Sequence, residues 1–157
     1  MTLAEFNAAP ARQAHAAMLA CCASARFAAA MTAGRPYLSQ AAAVRAVEAV
    51  FSTLSWEDVV QAMDGHPRIG ARTAGQSAAE QSGVADGSRA ALLAGNAAYE
   101  EQFGHVFLIC ATGRSAGSML AALRERSGND PATEREIVRG ELRKINDLRI
   151  DRLLQDF

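Results

Sequence analysis

Alanine recurs along almost the whole chain and runs of β-branched residues are scarce, so intrinsic backbone preference favours helix before any spacing is counted. The apolar periodicity agrees. Val44, Val47, Phe51 and Leu54 fall three and four residues apart, the mark of a helix with one buried face. Leu92, Asn96, Tyr99 and Phe103 form a second stripe in a helix expected over 88–103 and ended by Gly104. Along the last and longest helix, Val138, Leu142, Ile145, Arg149 and Leu153 share one face, so an arginine lies within an apolar stripe.

Helix starts are also legible. Thr2 with Glu5 and Ser55 with Asp58 have capping-box spacing, Ser39 can cap the helix that carries Val44, and Ser77 with Glu80 marks a further start. Pro10 opens an element with Met18, Leu19 and Cys22 on one side, ending at Gly34. Asp64 and Gly65 stop a helix just before His66-Pro67, and Ser115 to Arg126 is helical again. Gly128 to Pro131 then breaks the chain before Thr133 and Glu136 cap the last helix. Val106 to Ala111 is strand-like but too short to build a sheet alone. These signals predict an all-α fold, a compact orthogonal bundle of about seven to nine helices with one short extended segment near 106–111. With 157 residues and neither a linker nor a repeat, one domain over 1–157 is expected.

Charge narrows the partners. Sixteen Lys and Arg against seventeen Asp and Glu leave no field that would draw the chain to nucleic acid or to an anionic membrane. No stretch approaches the ~20 apolar residues of a membrane span, and the N-terminus lacks the basic-then-apolar order of a signal peptide, so a cytoplasmic location is expected. Cys21 and Cys22 are adjacent and Cys110 stands alone, a poor framework for disulfides or zinc; all three are expected reduced and buried. His15 and His105 have no partner at metal-ligand spacing and read as ordinary helix or loop residues. Gly65, Gly70 and Gly75 form no phosphate cradle, because no Gly-Lys-Ser/Thr follows them.

Three side chains could carry chemistry. His66 precedes a proline that restricts its backbone, and an imidazole so directed can move a proton near neutrality; a loop histidine that merely caps the preceding helix fits the same pattern. Glu80 is the reciprocal half of a capping box by its spacing, yet a carboxylate there is stabilised in its charged form and is a good acceptor for a hydroxyl or an imidazole. Arg149 requires an anion, either an internal acid or a substrate carboxylate, unless it snorkels to the edge of its stripe.

Trp56, Met63, His66 to Gly70, Ser77 to Gly83, Asn96 to Tyr99, Phe103-Gly104 and Phe107 together resemble the 2-oxo-4-hydroxy-4-carboxy-5-ureidoimidazoline (OHCU) decarboxylases in order and spacing. Arg35-Pro36-Tyr37 and the stretch from Glu141 to Leu153 extend the resemblance over nearly the whole chain, with Phe27 standing where the family commonly has tryptophan. The resemblance implies an all-helical homodimer that decarboxylates the last unstable intermediate between urate and (S)-allantoin without metal or organic cofactor. It also implies that His66 is the catalytic proton-transfer residue; beside it, Glu80 would hydrogen-bond the substrate hydroxyl or set the imidazole tautomer. Pro67, Ser77, Ala78, Ala79, Glu80 and Gln81 would line the ligand site. Phe107, Leu108, Ile109, Cys110 and Ala111 would contact the ring through their main chain, and Arg149 would bind the ligand. A non-catalytic helical module that keeps the pocket, or a decarboxylase of a related ureide, are the other readings of the same residues.

Overall fold

The computed structural model describes residues 1–69 and 86–155. Its described residues contain eight helices and no strand: α1 (Leu3–Ala8), α2 (Ala11–Cys21), α3 (Ala25–Ala33), α4 (Gln40–Ser52), α5 (Trp56–Met63), α6 (Asp86–Phe103), α7 (Ala116–Arg126) and α8 (Pro131–Leu153). The chain divides into two units, one formed by Met1–Gly65 with the segment from Arg143 onward, the other by His66–Leu142.

In the first unit the expected caps form. Thr2 and Glu5 make a reciprocal capping box on α1, Ser55 and Asp58 make one on α5, and the Ser39 hydroxyl accepts from Ala42 N–H at the start of α4. The element expected from Pro10 to Gly34 is instead two helices. Cys22 is extended, and the Ser24 hydroxyl takes the Phe27 N–H, so a side chain replaces the helical ladder at that point and starts α3. The break lets Met18 and Cys22 on one side, and Phe27 and Met31 on the other, be fully enclosed.

The stripe expected from Val44 to Leu54 is buried at Val47, Phe51 and Leu54 but not at Val44. Ala43, Val47 and Phe51 face the core while Val44 is 37% exposed. Beyond α3, Arg35 donates to the carbonyls of Phe6 and Ala9 (both 2.7 Å), satisfying the C-terminal end of α1 with a cation. Asn7 and Tyr37 exchange hydrogen bonds, Nδ2 to the Tyr37 carbonyl at 2.8 Å and Tyr37 N–H to Oδ1 at 2.9 Å.

The second unit is built on one apolar cluster, in which Leu92 and Tyr99 of α6 and Met119 and Leu123 of α7 enclose Ile69, Phe107, Ile109, Ala111 and Ala116. The stripe expected on α6 is therefore the packed face, with Asn96 1% exposed in its middle. Gly104 has φ +79°, a conformation that residues with a Cβ rarely adopt, and it turns the chain out of α6 into residues 106–111. Phe107, Leu108 and Ile109 are buried in succession outside any helix, so the segment expected to cross the core does so, without pairing into a strand.

The start of α8 differs from its expected cap. Asp130, not Thr133, closes the helix: its carboxylate accepts from Thr133 N–H at 3.0 Å and from the Thr133 hydroxyl at 2.7 Å. Pro131 then takes the first helical position, where its fixed φ fits and its missing N–H is not needed. Val138, Leu142, Ile145 and Arg149 are buried as the stripe requires, and at the far end Leu154 is enclosed in place of the half-buried Leu153.

Candidate active site

Helix α5 ends at Met63, and two turn residues bring the chain to His66. Gly65 passes so close to Ala23 that a Cβ on it would lie 2.8 Å from the Ala23 methyl, which explains a glycine immediately before the histidine. His66 is half-buried and its Nε2 is shut off from solvent, so the ring is not a freely solvated loop side chain. Pro67 follows, half-buried. Two contacts from α6 then hold the next residues: Arg68 makes a two-pronged pair with Glu100 (Nε to Oε1 at 2.5 Å, Nη2 to Oε2 at 2.8 Å), and Asn96 Nδ2 donates to the Ile69 carbonyl at 2.7 Å.

Residues 107 to 111 belong to the same unit as His66. Their main chain is fixed from one side by Arg126, whose Nη1 donates to the Leu108 carbonyl at 2.7 Å while its guanidinium carbon lies 4.4 Å from the Phe107 ring centroid. Arg126 is in turn held by Glu134, with Nε and Nη2 at 2.7 and 2.6 Å from Oε1. The Tyr99 hydroxyl donates to the same oxygen at 2.5 Å, and Asn129 Nδ2 donates to Oε2 at 3.2 Å. Glu134 is fully buried, and burial of the phenol, followed by its hydrogen bond to Glu134 and the charge there, raises the Tyr99 pKa far above its ordinary value. Ala111 closes the segment by accepting from Arg114 N–H at 3.0 Å.

Arg149 lies in the first unit, 5% exposed, with Nη1 3.4 Å from the Cys21 carbonyl. Burial pushes both neighbouring thiols up to about 11, against the lowering influence of the Arg149 charge. Cys21 and Cys22 are buried as expected, whereas Cys110 is only half-buried, because its neighbours Ile109 and Ala111 take the core positions. Ser77, Ala78, Ala79, Glu80 and Gln81 lie outside the described residues.

Sequence reasoning missed the Arg126–Glu134–Tyr99 group. An arginine in the last turn of a helix and a glutamate in the first turn of the next are what helix dipoles favour at a surface, so neither announces a buried partner. It also passed over His105, whose ring packs edge-on to Tyr99 at 5.6 Å.

Among the described residues all regular structure is helical, and one unit holds both a histidine set just past a helix end and a non-helical core segment braced by a buried ion pair, which defines a class of small helical proteins. The particular member follows from comparison. A family model described as OHCU decarboxylase matches residues 7–151, and the chain belongs to that family. It is 36% identical over 148 residues to the uric acid degradation bifunctional protein TTL of Arabidopsis thaliana, a match covering 87% of this chain and 46% of that protein. It is 43% identical over 60 residues to the 2-oxo-4-hydroxy-4-carboxy-5-ureidoimidazoline decarboxylase of Amia calva, covering 38% of this chain and 34% of that one. The chain thus spans less than half the length of these two relatives in the matched regions. Among solved structures, an OHCU decarboxylase crystallised in the presence of (S)-allantoin superposes with a TM-score of 0.80 at 32% identity, covering 88% of this chain and 96% of that one. An (S)-allantoin synthase shares the fold, with a TM-score of 0.75 at 18% identity, over 99% of this chain and 54% of that one.

Proposed function

We propose that this chain decarboxylates 2-oxo-4-hydroxy-4-carboxy-5-ureidoimidazoline to (S)-allantoin in urate breakdown, as a carboxy-lyase needing no metal or organic cofactor. The observation that carries this reading is the superposition on an OHCU decarboxylase over nearly the full length of both chains. The family match runs across both units, which supports treating 1–157 as one functional domain.

In the reaction the bond from the ring carbon to the carboxylate breaks, carbon dioxide leaves, and the electron pair spreads onto adjacent C=N and C=O groups. His66 then gives its proton to that carbon from one face, which sets the chirality of the product. Glu80 accepts a hydrogen bond from the substrate hydroxyl or from the imidazole. Gln81 and the main chain of Phe107, Leu108, Ile109, Cys110 and Ala111 hold the ring and the ureide. Arg149 pairs with a polar or anionic substituent, Pro67 and Ser77 to Ala79 complete the wall, and orientation of the substrate contributes to the rate. Family resemblance also supports a homodimer in the cytoplasm, and light scattering tests the dimer.

His66→Asn tests the assignment. On freshly generated substrate, followed by circular dichroism, the variant is expected to lose about 10²-fold or more in the rate of (S)-allantoin formation. An unchanged rate and unchanged chirality end the proposal, and binding of (S)-allantoin with no turnover by the native chain favours a ligand-binding module instead.

A further inference from the structure

Arg126 is almost fully buried and touches three things at once: the Leu108 carbonyl, the Phe107 ring and the Glu134 carboxylate. Peptide planes are rigid, and in a trans peptide the carbonyl of one residue and the N–H of the next point in opposite directions. Only Arg35-Pro36 is cis among the described residues, so the plane joining Leu108 to Ile109 carries its N–H on the side away from Arg126. That Ile109 N–H has no hydrogen-bond partner among the described residues, although Ile109 is 1% exposed. A buried main-chain donor without a partner is uncommon in folded proteins, and a bound polar ligand supplies one.

We propose that Arg126 is a positioning residue for the decarboxylation: by gripping the Leu108 carbonyl it fixes the peptide plane that presents the Ile109 N–H to a carbonyl or ring nitrogen of the substrate. Glu134 and Tyr99 set the guanidinium, since the Tyr99 hydroxyl and Arg126 Nε both donate to one Glu134 oxygen, with Nη2 in ion-pair contact with it, and leave Nη1 directed at the main chain. Phe107 stacked on the guanidinium prevents the plane from rotating about the segment axis. The inference rests on the reading that residues 107 to 111 bind the ring, and it adds a group that never touches substrate but decides where a donor points.

The test uses the full chain. Replacing the whole buried polar set by apolar residues, Tyr99→Phe with Arg126→Met and Glu134→Leu, leaves no unpaired charge and is compatible with retained stability. If Arg126 only holds the core together, this triple variant keeps native affinity and rate once folded. If it positions the peptide plane, the variant stays folded, the Kd for (S)-allantoin and the KM rise about 10-fold, as for losing one well-made hydrogen bond, and kcat changes less. Should the triple variant not fold, Glu134→Gln keeps the side-chain shape while loosening the guanidinium, and a rise of about 3-fold in Kd is the corresponding result. In the native protein, nuclear magnetic resonance is expected to show both the Ile109 amide and the Arg126 Nε–H signals shifting when (S)-allantoin is added. Movement of the Ile109 signal with native Kd in both variants overturns the positioning role alone. An Ile109 amide that ignores (S)-allantoin overturns it together with the assignment of this segment to the ligand.

Discussion

The side-chain amide of Asn96 donates to the Ile69 carbonyl at 2.7 Å, so α6 grips the chain three residues beyond His66 from inside the core. Asn96→Ala leaves that buried carbonyl without its donor, a loss of about 1–3 kcal/mol. Urea denaturation is expected to record it as a lower midpoint with an unchanged slope, and turnover is expected to fall as well because the loop that carries His66 and Pro67 loses an anchor. A variant with native midpoint and native turnover would show that the bond neither stabilises nor positions anything.

Gly95 sits where α6 meets α7. A Cβ there would lie 2.4 Å from Cδ2 of Leu123, which is 2% exposed and has little room to yield. Gly95→Ala therefore sets a helix-propensity gain of about 1 kcal/mol against overpacking of about 1–3 kcal/mol, a net destabilisation. In a Leu123→Ala background the obstruction is gone, and the same substitution is expected to stabilise. Thermal melts of the four proteins in this cycle check the reversal of sign.

Asp130 caps α8 through Thr133, and those bonds hold its carboxyl below the ordinary carboxylate value. A folded-state value below the unfolded one means that its contribution to stability is complete above the unfolded value, about 3.9, and disappears as pH falls through the lower folded value. Asp130→Ala is accordingly expected to melt below the native chain at pH 7, with the gap narrowing in strong acid. A gap that stays constant down to pH 2 would contradict the charge-assisted cap.

The thiols divide into two kinds. Cys21 and Cys22 are buried with values pushed up to about 11, so at pH 7.5 neither offers an accessible thiolate, whereas Cys110 is half-buried in the segment proposed to hold the ligand. A thiol reagent is expected to modify Cys110 first and the other two only in denaturant. Saturating (S)-allantoin is expected to slow the first reaction, and peptide mapping of the labelled site decides it.

How far the sequence carried differs from one element to the next. The capping boxes at Thr2 and Ser55 and the stripe of Leu92, Asn96 and Tyr99 are local rules, set by residues within one or two helical turns, and they appear in the structure as read. The split at Cys22 and the exposure of Val44 depend on neighbouring helices, which no local pattern contains. His66 was legible because a histidine between glycine and proline is locally unusual.

By itself the sequence determined the helical class, most helix ends, the non-helical run through 106–111 and, through its motifs, the family. Tertiary structure alone decided that Arg126, Glu134 and Tyr99 meet, since they lie on three different helices, Arg126 and Glu134 each with an ordinary helix-end role and Tyr99 with an ordinary place in a packed stripe. The physical reason is that helix formation is written in contacts a few residues apart, while the partner of a buried charge is chosen by which helices pack together.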